Sequence, residues 1–118
     1  MSEVKVSELW AEVLKVAQEQ PEHVYERTEV GKCNYQVDGK PSCIVGHAMH
    51  RLGVSVFDLR EFDAAGDSAI GDIIEMNPDI FDKDDKLGME LLIEAQDSQD
   101  EGVPWGLAVR QQQDEPAN

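Results

Sequence analysis

Positive charge is scarce in this chain. Ten Lys and Arg stand against 25 Asp and Glu, a formal net charge of −15 over 118 residues. That balance disfavours direct binding to nucleic acid, because affinity for phosphates comes mostly from Lys and Arg. It equally disfavours anionic membrane surfaces. Long apolar runs are missing too: none approaches the roughly 18 residues that a bilayer crossing needs. The opening Met-Ser-Glu-Val-Lys-Val is polar and then amphipathic, unlike a signal peptide, so a cytoplasmic protein is expected. Cysteine is limited to two residues. In a reducing compartment these are expected to be thiols or ligands rather than a permanent bridge. No Gly-rich phosphate loop, Ser/His/Asp constellation or RNA-binding aromatic pattern is present.

What is there is one domain's worth of chain with 41% hydrophobic residues, enough for a real core. The helix signals are regular. Ser7 opens a helix whose Leu9, Trp10, Val13, Leu14 and Ala17 form one stripe, ending before Pro21. Val24 and Tyr25 open a short strand or prolong a helical turn, and Cys33 to Val37 alternates as a strand. Asp38-Gly39 marks a turn. Ser42 is placed to cap a helix that runs to Leu52 and stops at Gly53. Ser55 and Ser68 cap two short helices, the second ended by Asn77-Pro78. Asp82 to Asp85 precede a longer helix carrying Leu87, Leu91, Leu92 and Ala95 to about Gln99. Gly102 breaks it, and Pro104 starts a last helix with Trp105, Ala108 and Val109 on one face. The expected fold is mainly α: a compact bundle of about five helices with a short strand or β-hairpin near residues 24–37. Residues 1–110 form a single globular domain, and 111–118 a disordered acidic tail.

Charge is unevenly placed. From Val54 to Gly102 fifteen acids face three bases, whereas Lys32 to Arg51 holds three bases and one acid. The acidic half reads first as a solvated face. Read functionally, Asp58, Glu61, Asp63, Asp82, Asp84, Asp85, Asp97, Asp100 and Glu101 make an acidic surface for a basic partner, or one that imitates DNA.

The mildly basic stretch holds both cysteines and two of the three histidines: Cys33, Cys43, His47 and His50. On a wheel of the second long helix, Ile44, Val45, Ala48, Met49 and Leu52 gather on one side. Cys43, Gly46, His47 and His50 gather on the other. Gly46 costs a helix interior about 1 kcal/mol against alanine, so it points to close approach by another segment. The strand holding Cys33, folded back by the Asp38-Gly39 turn, is the candidate, and Gly46 and Tyr35 are read as sites of close packing or partner approach. Four readings stay open. The two thiols are small buried apolar groups with the histidines as a polar rim, which is the favoured reading. Or Cys33, Cys43, His47 and His50 hold Zn²⁺, although the C-x9-C-x3-H-x2-H spacing departs from the usual close cysteine pair. Or Cys33 and Cys43 form a disulfide, with Cys43 activated at a helix start. Or Cys43 is a nucleophile presented as in cell-wall cysteine peptidases. That last reading lacks its base, because no histidine follows His50. His23 reads as a rim residue, and Trp10 and Trp105 as core.

The stretch Cys33-x-Tyr35…Gly39-x-Pro41-x-Cys43-Ile44-Val45-Gly46-His47-Ala48, with Arg51-Leu52-Gly53-Val54, resembles a segment of small uncharacterised proteins of actinobacteria and their bacteriophages. The stretch Ala95-Gln96-x-x-Gln99-Asp100-x-Gly102-x-Pro104-Trp105-x-x-Ala108-Val109 is similar to their C-terminal segment. The resemblance implies a phage origin and, by analogy, a small protein that binds and modulates a host protein. The expectation is thus a non-enzymatic acidic protein with no cofactor. The alternatives are a Zn-binding structural or regulatory protein and a DNA-mimic inhibitor.

Overall fold

The computed structural model describes residues 4–25, 34–64 and 69–113, with side chains up to Val109. Among the described residues there are six helices: α1 (Val6–Glu19), α2 (Ile44–Arg51), α3 (Val56–Ala64), α4 (Ile70–Met76), α5 (Lys86–Asp100) and α6 (Trp105–Gln113). Four two-residue strands accompany them: β1 (Val4–Lys5), β2 (Gln36–Val37), β3 (Lys40–Pro41) and β4 (Phe81–Asp82). The domain is mainly α, as its helical periodicity predicts. No helix among the described residues is long and apolar enough to cross a membrane.

α1 is the central element. Val6, Leu9, Trp10, Val13, Val16 and Ala17 are buried along one stripe, and α2, α5 and α6 pack on it. Its start is tied down twice. β1 pairs in parallel with β4, placing Val4 beside Phe81. Ser7 donates from its backbone N–H and hydroxyl to Asp84, at 3.1 and 2.6 Å. Ser7 is therefore inside the helix, whose N-cap is Lys5.

β2 and β3 form a hairpin closed by Asp38 and Gly39, both at positive φ (55° and 80°), the combination that a two-residue turn of the right twist needs. It lies at and beyond the end of the 24–37 stretch in which a strand was expected. Val24 and Tyr25 have no regular structure, and residues 26–33 lie outside the described part. Residues 34 and 35 then dock on the start of α2. Ser42 N–H donates to the Tyr35 carbonyl (3.0 Å) and Cys43 N–H to that of Asn34 (3.1 Å). A Cβ on Gly46 would overlap the Tyr35 carbonyl oxygen and come within 3.0 Å of its carbon. Another segment does approach Gly46 closely: it is Tyr35, the residue just before β2.

α5 departs from expectation. Its buried face is Gly88, Leu92, Ala95, Gln96 and Gln99, while Leu87 is 65% exposed and Leu91 only half-buried. The inward face turns because two glutamines occupy it. Gln96 accepts the N–H of Ile70, the first residue of α4, at 2.8 Å, and donates to the Tyr35 hydroxyl at 3.1 Å. Gln99 accepts the N–H of Ile44, the first residue of α2, at 2.8 Å. Each carboxamide thus serves an otherwise unsatisfied helix-start donor in the interior.

The helix boundaries mostly follow local chemistry. Ser55 Oγ accepts from Asp58 N–H, Asp85 caps α5 through Gly88 N–H, and Gly53 and Gly102 close helices at positive φ. Two details differ. Cys43, not Ser42, caps α2, and Ala69 caps α4, with Ser68 outside the described residues. α6 also runs to Gln113, three residues into the segment expected to be a tail, and 114–118 lie outside the described part.

Two substitutions test this frame by urea unfolding. Gly46→Ala should destabilise by about 1–3 kcal/mol through the overlap with Tyr35, despite alanine's better helix propensity. Gln99→Leu keeps the bulk but strands Ile44 N–H, and should cost about 1–3 kcal/mol.

Candidate functional site

The Cys/His segment can be built from α2 outward. Cys43 is fully buried, and its Sγ accepts from Gly46 N–H at 3.4 Å, so the thiol serves the helix start. Burial and that contact make Cys43 a packed group. Gly46 is buried as well, which makes the face opposite the apolar stripe a second packed face rather than an open one. The reason is Tyr35: buried itself, it lays its backbone across Gly46 and sets its ring edge-on to Phe62 (6.2 Å).

The histidines part from the cysteine. His47 is half-buried, its ring 5.5 Å from that of Trp105. His23, from the segment after α1, meets the same indole at 4.4 Å. His50 is exposed. Burial holds the His47 pKa below the ordinary histidine value, and the neighbouring Arg51, His23 and His50 press it the same way. Arg51 is held by Glu19, with one contact at 3.0 Å and a closer one, and by Glu12 at 3.5 Å. The Arg51 hydrogen bond pulls the Glu19 pKa down, and that of Glu19 raises Arg51's. Among the described residues no group of three or more His, Cys, Asp or Glu is placed to hold a metal. Cys43, His47 and His50 therefore do not form such a group together. Cys33, and with it the Cys33–Cys43 pairing, lies outside the described residues.

The acidic candidates divide. Four have internal duties. Asp63 accepts from the N–H groups of Tyr35 (2.8 Å) and Gln36 (3.2 Å) and from the Gln36 side chain (3.3 Å), holding the hairpin to α3. Asp84 takes both Ser7 donors, whose hydrogen bonds lower its pKa. Asp85 caps α5, and Asp100 accepts from Gln99 Nε2 at 2.7 Å. Asp58 and Asp82 are half-buried. Glu61, Asp97 and Glu101 are exposed, Glu61 one turn from Phe57, which is itself 67% exposed on the outer face of α3.

Two further acids complete a pattern. Glu90, Glu94, Asp97 and Glu101 are all exposed and recur at spacings of four, three and four, so they line one face of α5. Glu90 and Glu94 were not among the sequence candidates, although the helical spacing was the available signal. The row does not help its own helix. Like charges at i,i+4 cost about 0.2–0.5 kcal/mol each. Acids near a C-terminus oppose the macrodipole, and α5 has no basic residue in its last turn. Beside the start of the row lies an open groove of about 400 Å³ lined by Glu75, Lys83, Asp85, Lys86, Met89 and Glu90, in which Lys83 pairs with Glu75 at 2.9 Å.

Comparison of the chain with protein-family models, curated proteins and solved structures finds no match.

Structural and surface acids should separate on mutation. Asp63→Ala should cost about 1.5–3 kcal/mol, the usual range for hydrogen bonds to a charged acceptor. Glu61→Ala should stay within about 0.5 kcal/mol. Chemical denaturation of the two variants beside the parent chain makes the comparison.

Proposed function

We propose that this chain is a non-enzymatic, phage-encoded cytoplasmic protein that binds a basic surface of a host protein and modulates it. The observation that carries this reading is the α5 row of Glu90, Glu94, Asp97 and Glu101. These acids repel one another, and Asp97 and Glu101 also oppose the helix dipole at its C-terminus, so local stability does not account for the row. They stand about 4.5–6 Å apart along the axis, a ladder of carboxylates suited to Lys and Arg on a facing surface. Electrostatic recognition of this kind sets association rate and specificity more than raw affinity, and it weakens with salt.

The test is affinity capture from the lysate of an actinobacterial host, with the parent chain beside a Glu90→Gln, Glu94→Gln, Asp97→Asn, Glu101→Gln variant. A stoichiometric partner held by the parent, lost from the variant and released by raised salt is the expected result. No stoichiometric partner, or one held equally by both proteins, overturns the proposal. Duplex DNA added as a competitor shows whether the captured face ordinarily holds phosphates, the outcome that would make the ladder a DNA mimic.

A further inference from the structure

Two of the chain's three histidines, His23 and His47, meet on one indole, and that indole belongs to the first residue of the last helix. α6 begins at Trp105. Its first two amides are received by the segment that follows α1: Trp105 N–H donates to the His23 carbonyl at 2.9 Å and Gly106 N–H to the Pro21 carbonyl at 2.8 Å. The fit is close, since a Cβ on Gly106 would come within 2.8 Å of Pro21. The same residue, His23, supplies a carbonyl to the Trp105 backbone and a ring to its indole. Trp105 is fully buried, its Nε1 has no hydrogen-bond partner, and the His47 ring packs on it from α2. A shift of either imidazole therefore acts directly on the seam between residues 21–23 and α6.

We propose that the His23–Trp105–His47 stack is a proton-sensitive latch that holds the start of α6 to the 21–23 segment while the His47 ring is neutral and loosens when that ring is protonated.

The charges around the stack set the direction. Arg51 and His50 come from α2 and His23 from the segment after α1. α1 contributes Glu12 and Glu19, but Arg51 occupies both. α6 contributes the neutral Trp105, and α5 reaches the start of α2 with the neutral Gln99. A proton on His47 thus enters a half-buried site already flanked by Arg51 and two protonatable rings. The indole's attraction for a cation opposes this, but lost hydration and three surrounding groups of positive or potential positive charge outweigh it. The sign follows from linkage. His47 holds its proton less well in the folded latch than when released. The contribution of the closed latch is therefore whole above about pH 6.5, the unperturbed histidine value, and is lost as pH falls below it. The window between about pH 7.5 and about pH 5.5 spans the ordinary histidine value and lies above the ordinary carboxylate range.

Amide hydrogen exchange reads the latch at its own bonds. Protection factors, which correct for the intrinsic pH dependence of exchange, should fall at Trp105 and Gly106 by about three- to tenfold between about pH 7.5 and about pH 5.5, tenfold corresponding to one pKa unit. Those of Ile44 and Ile70, bonded to the α5 glutamines, should hold. A His23→Gln, His47→Gln variant should lose the pH response at Trp105 and Gly106, whereas His50→Gln should keep it. The proposal is overturned if the parent protein shows no change at those two amides, if Ile44 and Ile70 lose protection in equal measure, or if the double variant responds as the parent does. The first two comparisons use the parent chain alone, so the proposal stays testable even if the double variant does not fold.

Discussion

Two buried carboxamides on one turn of α5 hold this fold together. Helix starts carry backbone donors with no partner in their own helix, and α2 and α4 both begin in the interior. Gln96 and Gln99, three apart and thus on one face, accept those donors at Ile70 and Ile44. Gln96 also reaches the Tyr35 hydroxyl, and Tyr35 lays its backbone on Gly46 of α2. The contacts close a ring: α5 to Tyr35, Tyr35 to α2, and α2 back to α5. Each link depends on the others for its geometry. A residue larger than glycine at 46 would lift Tyr35 from the helix that Gln99 positions. Apolar packing on α1 supplies most of the driving force, but these polar links decide where the short helices begin.

The parts of the fold that depend on neighbouring residues were legible in the sequence. The α1 stripe, the Asp38-Gly39 turn, the Ser55 cap, the acids that precede α5 and the stops at Gly53 and Gly102 each follow from local chemistry. The parts that depend on distant residues were not. Glutamine on a helix reads as surface, and nothing within α5 shows that the starts of two other helices come to rest on Gln96 and Gln99. Leu87 was placed in the core for the converse reason: its spacing to Leu91 suits a stripe, yet the two glutamines rotate the inward face away from it. Cys43 was recognised as a packed group but not as the cap, since Ser42 beside it is the commoner capping residue. The Gly46–Tyr35 contact was readable because an interior glycine is costly enough to demand a reason. The meeting of His23 and His47 on Trp105 joins three separate segments and leaves no local trace.

α5 carries two kinds of polar chemistry on opposite faces. Inward, neutral amides satisfy backbone donors in a low-dielectric interior, where a carboxylate in their place would bear a large desolvation cost. Outward, the carboxylates of Glu90, Glu94, Asp97 and Glu101 stay hydrated. Glutamate and glutamine differ little in shape, so charge rather than bulk divides the two faces. Asp63 and Asp84 fall between these extremes, binding backbone and hydroxyl donors while retaining contact with water. Four of the nine acidic candidates are therefore struts: Asp63, Asp84, Asp85 and Asp100.

The division has an evolutionary consequence. Glu90, Glu94, Asp97 and Glu101 on the outer face of α5 are exposed, so they can drift one substitution at a time. The inner amides have no such freedom, because replacing either one disturbs two helices together. A lineage could thus rewrite the charge on this face while inheriting its architecture intact.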